Sequence, residues 1–125
     1  MARILLVDDD DSFRHMLHEM LVRAGHEVRE APNGKVALKL DLEEVSDLIV
    51  LDLVMPEKEG LETMRELRKR RPSVKVIAIS GGGRTNPSVN LATAMKLGAK
   101  RTLTKPFSRA EMLLAIDQVL LEATT

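Results

Sequence analysis

Along this chain, short runs of apolar residues alternate with longer stretches in which apolar positions recur every three or four residues. Runs at about residues 3–7, 27–31, 48–51, 74–79 and 101–104 predict five strands. The intervening periodicity predicts five amphipathic helices. Their apolar faces are Phe13, Met16, Leu17, Met20, Leu21 and Ala24; Val36, Ala37, Leu40 and Leu42; Leu61, Met64 and Leu67; Leu91, Ala92, Met95 and Leu97; and Met112, Ala115, Ile116 and Val119. Breakers fall between the elements: Gly25, Pro32-Asn33-Gly34, Arg71-Pro72, Gly81-Gly82-Gly83 and Gly98. Ser108 followed by Glu111 writes a capping box at the start of the last helix. Regular strand–helix alternation predicts an α/β fold, a single doubly wound sheet of five parallel strands flanked by five helices. Ligands of such sheets bind beyond the carboxyl ends of the strands, so the residues that end each run carry the functional information.

Those residues are charged or hydroxylated. Asp8 and Asp9 follow the first strand, Asp52 the third, Ser80 the fourth and Lys105 the fifth. Helix capping explains Asp10 or Asp11, since a carboxylate at a helix start accepts otherwise unpaired N–H groups. It does not explain Asp8 and Asp9, which the topology brings toward Asp52. Two carboxylates about 4 Å apart repel by about 4 kcal/mol at an effective dielectric near 20, so three converging ones call for a cation. An all-oxygen donor set favours Mg2+, or Mn2+, over zinc. A carboxylate nucleophile, a hard cation and the Lys105 ammonium are what phosphoryl transfer to Asp52 requires. Ser80 is placed to hydrogen-bond an oxygen of an anion on Asp52.

Composition narrows the alternatives. The 125 residues fit one domain, taken as residues 1–125. Nineteen basic residues balance nineteen acidic ones, so no net field gathers nucleic acid or an anionic membrane. The chain has no Trp or Tyr to stack on bases, and no Cys for disulfides or thiolate metal sites. The first apolar run is too short for a signal peptide or a membrane span, and the expected location is cytoplasmic.

With these residues in place, the chain resembles the receiver domain of two-component response regulators over essentially its whole length. The shared elements are the acidic pair Asp8-Asp9, the Asp-x-x-Met-Pro-x-x-x-Gly pattern at residues 52–60, Ser80 at the end of strand four, and Gly98-Ala99 before Lys105-Pro106-Phe107. The resemblance implies a flavodoxin-like (βα)5 fold with strand order 2-1-3-4-5. It also implies phosphorylation of Asp52 by a sensor histidine kinase or a phosphotransfer protein, and a downstream protein target. Magnesium would be held by Asp9, Asp52 and the backbone carbonyl of Val54, with Asp8 acting mainly through water, and Lys105 would pair with the phosphoryl oxygens. Such a domain is not an enzyme in its own right but assists its own phosphorylation and dephosphorylation. It would be a monomer or weak homodimer that contacts neither nucleic acid nor membrane.

One position departs from that family. Phosphorylation there draws the Ser or Thr inward, an aromatic residue on strand five follows, and the surface of helix four, strand five and helix five changes. Here that switch position is Thr102. The readout is therefore expected to use the glycine-rich connection at residues 81–90.

Two other functions compete. A magnesium-dependent aspartyl-phosphate phosphatase expects an acid two residues after its nucleophile, where this chain has Val54. A phosphorylation-independent interaction domain has only the missing aromatic in its favour. Weaker signals remain. Gly81-Gly82-Gly83-Arg84-Thr85 lacks the endings of nucleotide-binding loops. His15 and His18 are a helical pair without a third ligand, and His26 stands alone. Arg68-Lys69-Arg70-Arg71 complements a helix end.

Overall fold

A computed structural model describes residues 2–53, 59–81 and 87–122. Strands β1 (Arg3–Val7), β2 (Glu27–Ala31), β3 (Leu48–Asp52), β4 (Val76–Ser80) and β5 (Arg101–Thr104) alternate with helices α1 (Asp11–Arg23), α2 (Gly34–Glu43), α3 (Glu59–Arg70), α4 (Pro87–Lys96) and α5 (Arg109–Leu121). All strand pairs are parallel, in the order β2-β1-β3-β4-β5, as expected.

The three central strands β1, β3 and β4 are buried on both faces, which is why they read as unbroken apolar runs. Alternate residues feed two cores. Leu5, Val7, Ile49, Leu51, Val76 and Ala78 face Met64, Leu67 and Ala94 of α3 and α4. Ile4, Leu6, Val50, Ile77 and Ile79 face Leu17 and Leu21 of α1 and Met112, Ile116 and Val119 of α5. The Ser108–Glu111 capping box forms with both of its bonds.

Several expected boundaries and faces shift. β4 starts at Val76 rather than 74, because the Val74 N–H closes a turn onto the Arg71 carbonyl (2.9 Å) while its side chain stays buried. β3 runs on to Asp52 itself. Met16, Ala24, Leu42, Ala92 and Met95 are exposed, not core. On α1 the buried seam is only Leu17 and Leu21, and on α4 the fully buried residue with a described side chain is Ala94. In each case a small or narrow apolar stripe suffices against the sheet, and apolar neighbours one position off that stripe are left to solvent.

Candidate functional site

β1 ends at Val7, and the Asp8 N–H still donates to the Ala31 carbonyl of β2 (3.2 Å), which holds Asp8 at the rim of the sheet. The next turn into α1 is fixed by two aspartates. Asp8 Oδ1 accepts from the Asp10 N–H (2.9 Å), and Asp10 Oδ1 accepts from the Phe13 N–H (3.0 Å) as the N-cap of α1. Asp52 is the last residue of β3, in register with Ile79 of β4.

Two glycines set the approach of the neighbouring segments. A Cβ on Gly60 would lie 2.7 Å from the Leu53 Cα and 2.9 Å from the Asp52 carbonyl oxygen, so only glycine lets α3 start directly behind the Asp52 backbone. Gly81 has φ +141°, and its Cβ would lie 2.8 Å from the Lys105 nitrogen. That close approach goes with a hydrogen bond from the Lys105 N–H to the Ser80 carbonyl (2.7 Å), which brings the ends of β4 and β5 together. The Lys105–Pro106 peptide is cis.

The side chains converge as the topology requires. Ligand oxygens of Asp8, Asp9 and Asp52 lie within 4.8 Å of one another. Asp8 and Asp52 are 3% and 2% exposed, while Asp9 faces solvent. Lys105 Nζ lies 3.3 Å from Asp8 Oδ2 and 3.2 Å from Asp52 Oδ2, and 4.0 Å from the centre of the Phe13 ring. Phe107 meets Phe13 edge-on at 5.8 Å. Burial pushes the Asp8 carboxyl up to about 6; the Asp10 N–H opposes this, the Asp52 charge adds to it, and Lys105 offsets part. Burial works against the Lys105 ammonium, but Asp52 and then Asp8 outweigh it and raise its pKa above the ordinary lysine value.

Ser80 is fully buried, and its Oγ finds no hydrogen-bond partner among the described residues. Thr102 is half-buried on β5 opposite Ala78. Val54 and residues 82–86 of the glycine-rich connection lie outside the described residues.

Arg14 and Phe13 were not apparent as site residues from the sequence. The Arg14 guanidinium donates to the Asp8 carbonyl oxygen (2.6 Å), to Glu30 Oε1 (2.8 Å) and to Asp11 Oδ1 (2.8 Å), tying β1, β2 and α1 together under the rim. A signal did exist for Phe13: Phe13 and Phe107 are the chain's only two aromatic rings apart from histidine, and each lies next to a charged segment that ends a strand.

The remaining sequence candidates lie elsewhere. Arg71 of the basic run pairs with Asp41 (2.6 Å), and Arg70 reaches the Leu38 carbonyl (3.5 Å), so that part of the run is structural. His26 Nδ1 accepts from the Ala2 N–H (3.2 Å). His26 also lines a cavity of about 470 Å³ at the amino ends of the strands, with Arg71 and Lys75. Those two cations are held by protein oxygens there, Arg71 by Asp41 and the Ser46 carbonyl and Lys75 by the Glu122 carbonyl (2.7 Å), so this cavity is not where the chemistry gathers.

Residues 4–117 match the family described as the response regulator receiver domain. The chain is 35% identical over 118 residues to the chemotaxis protein CheY of Thermotoga maritima, covering 94% of this chain and 96% of that one. It is 36% identical to the transcriptional regulatory protein CpxR of Klebsiella pneumoniae over 96% of its own length, but spans only 50% of that relative. Among solved structures, the receiver domain of NtrX from Brucella abortus superposes with a TM-score of 0.88 at 29% identity, covering 96% of this chain and 99% of that one. Among the described residues, no helix is long and apolar enough to cross a membrane.

Proposed function

The chain belongs to the response regulator receiver domain family, and from that premise we propose that residues 1–125 act as one phosphoacceptor switch whose acceptor is Asp52. The observation that carries this reading is the Lys105 ammonium lying between the buried carboxylates of Asp8 and Asp52, at 3.3 and 3.2 Å. One lysine facing two buried carboxylates leaves negative charge in excess, and burial, with the Asp52 charge adding to it, raises the Asp8 pKa. The donor set is all oxygen, which fits a hard dication. Asp8, Asp9 and Asp52, with the Val54 carbonyl, are the residues to hold Mg2+ or Mn2+, and such an ion supplies positive charge against the phosphoryl oxygens.

The chain's own groups do the rest. An Asp52 carboxylate oxygen forms the new bond to phosphorus as the donor's P–N or P–O bond breaks. Asp52 needs no base, because a carboxylate is an oxygen nucleophile as it stands. Lys105 swings from its two carboxylates to the incoming equatorial oxygens, keeping a charge-assisted contact throughout. The Phe13 face beneath Nζ limits where that ammonium can go. Ser80 contributes a buried hydroxyl without a partner among the described residues, which gains one when an anion arrives on Asp52. Thr102 has no ring to rotate inward, so the readout passes through the connection that follows Gly81 and through α4. The donor is a histidine kinase or phosphotransfer protein, the recipient of the signal is a protein, and Val54 in place of an acid keeps the domain a switch and not a phosphatase.

The test is to incubate the protein with Mg2+ and acetyl phosphate or phosphoramidate and weigh it intact. One labile phosphate is expected, lost on Asp52→Ala. Continuous phosphate release would point to the phosphatase, and no adduct even with a kinase to a domain that works unphosphorylated.

A further inference from the structure

Lys105 reaches the rim on a long flexible stem, and three groups hold its ammonium there. Two are the carboxylates of Asp8 and Asp52, at 3.3 and 3.2 Å. The third is the face of the Phe13 ring, whose centre lies 4.0 Å from Nζ, within the range over which an aromatic quadrupole attracts a cation. The reaction treats these partners differently. A dication bound among the carboxylates offsets the charge that pulls on Lys105, and bond formation at Asp52 uses up one of the two carboxylates. The ring is neutral and ligates no metal, so its pull on the ammonium is the one that persists.

The ring itself is fixed from two sides. The Phe13 N–H donates to Asp10 Oδ1 (3.0 Å) in the first turn of α1. Phe107 meets the ring edge-on, with centres 5.8 Å apart and planes at 82°. Phe107 lies in the same Lys105-Pro106-Phe107 turn as the ammonium, so one segment carries both the cation and the ring that braces its platform. Both rings are partly buried against the core shared by α1 and α5. A leucine at position 13 would also pack there but would present no negative face to Lys105.

We propose that Phe13 is a positioning residue whose ring keeps the Lys105 ammonium at the rim while metal and phosphoryl group take over Asp8 and Asp52. The proposal rests on the phosphoacceptor reading and adds to it a group that acts through Lys105. The swing of Nζ toward the incoming oxygens then pivots over the ring instead of running out into solvent.

Ring-fluorinated phenylalanine at position 13 separates holding from packing, because it keeps the shape and withdraws the negative face. At saturating Mg2+, phosphate incorporation from acetyl phosphate should slow by about two- to tenfold in the fluorinated protein and in Phe13→Leu, whereas Phe13→Tyr should keep the wild-type rate. Proton NMR gives a readout without turnover: in the wild type the Lys105 methylene next to Nζ should be shielded by the ring and stay shielded when Mg2+ is added. Shielding lost on adding Mg2+, or a fluorinated protein that labels as fast as wild type, would overturn the role of Phe13 and leave Asp52 as acceptor. A wild type that takes up no phosphate would overturn the acceptor reading and the proposal together.

Discussion

Among the described residues, buried carboxylates stand in two regions and are treated in opposite ways. Asp41 on α2, 4% exposed, is matched: Oδ1 receives the Arg71 guanidinium at 2.6 Å and the Ser46 N–H at 3.3 Å. Arg71 also donates to the Ser46 carbonyl (2.9 Å), and Arg29 to the Ser46 hydroxyl (2.9 Å), so each polar group closes on another. At the carboxyl end of the sheet, two carboxylates share one lysine and a third sits beside them. The first arrangement is complete in the protein alone. The second is complete only when charge arrives from outside, which is what separates a structural ion pair from a site.

The contrast predicts that removing a partner acts in opposite senses at the two places. Arg71→Met strands the Asp41 carboxylate, and urea denaturation should show a loss of about 3 kcal/mol. Phosphate incorporation from acetyl phosphate should survive in the fraction that folds. A loss below about 1 kcal/mol would mean that solvent already screens the pair, and the two regions would then differ less than their geometry suggests.

Asp8→Asn should do the reverse. Asparagine keeps an acceptor for the Asp10 N–H but removes a charge that burial disfavours, so the metal-free protein at pH 7 should gain about 1–3 kcal/mol while Mg2+ affinity falls. The wild type carries the same effect in its pH dependence. Asp8 holds its proton more tightly in the folded state, at about 6 against 3.8, so the folded form binds more protons between those values. Metal-free stability from this group is therefore fully present below about pH 4 and lost as pH rises through about 6. Bound Mg2+ favours the ionised form, so the magnesium-induced rise in Tm should be small near pH 4 and full above 6. A magnesium shift independent of pH in that window, or an Asp8→Asn protein less stable than wild type without metal, would remove the claim of excess charge.

Much of this difference was legible in the sequence on one side only. Aspartates and a lysine immediately after apolar runs mark the rim, because a parallel sheet must place strand ends together. The Asp41–Arg71 pair left no such mark: the two residues are 30 apart, one on α2 and the other just past the end of α3, and their meeting depends on how those helices pack. Arg14 was hidden for the same reason, since two of its partners, Glu30 and the Asp8 carbonyl, lie on β2 and just past β1, which only the fold brings to α1. Periodicity also overstated the helix faces at Met16, Leu42 and Met95. It gives the spacing of apolar residues but not how narrow a stripe the sheet covers.

The smallest effect sharpens the comparison most locally. Ser108 lies three residues past Lys105, yet it behaves like the Asp41 region: its side chain accepts from the Glu111 N–H (3.0 Å), and Glu111 Oε1 accepts from the Ser108 N–H (3.1 Å). Both bonds close within one turn of α5 and neither reaches the carboxylates. Ser108→Ala should therefore cost about 1 kcal/mol of stability, read as a lower urea midpoint at unchanged slope. The rate of phosphate incorporation at Asp52 should not change, because Lys105 is fixed through its own N–H to the Ser80 carbonyl and by the close fit of Gly81, upstream of the cap. If labelling slowed in proportion to the lost stability, the cap would belong to the site, and proximity along the chain, more than completeness of pairing, would mark what is functional here.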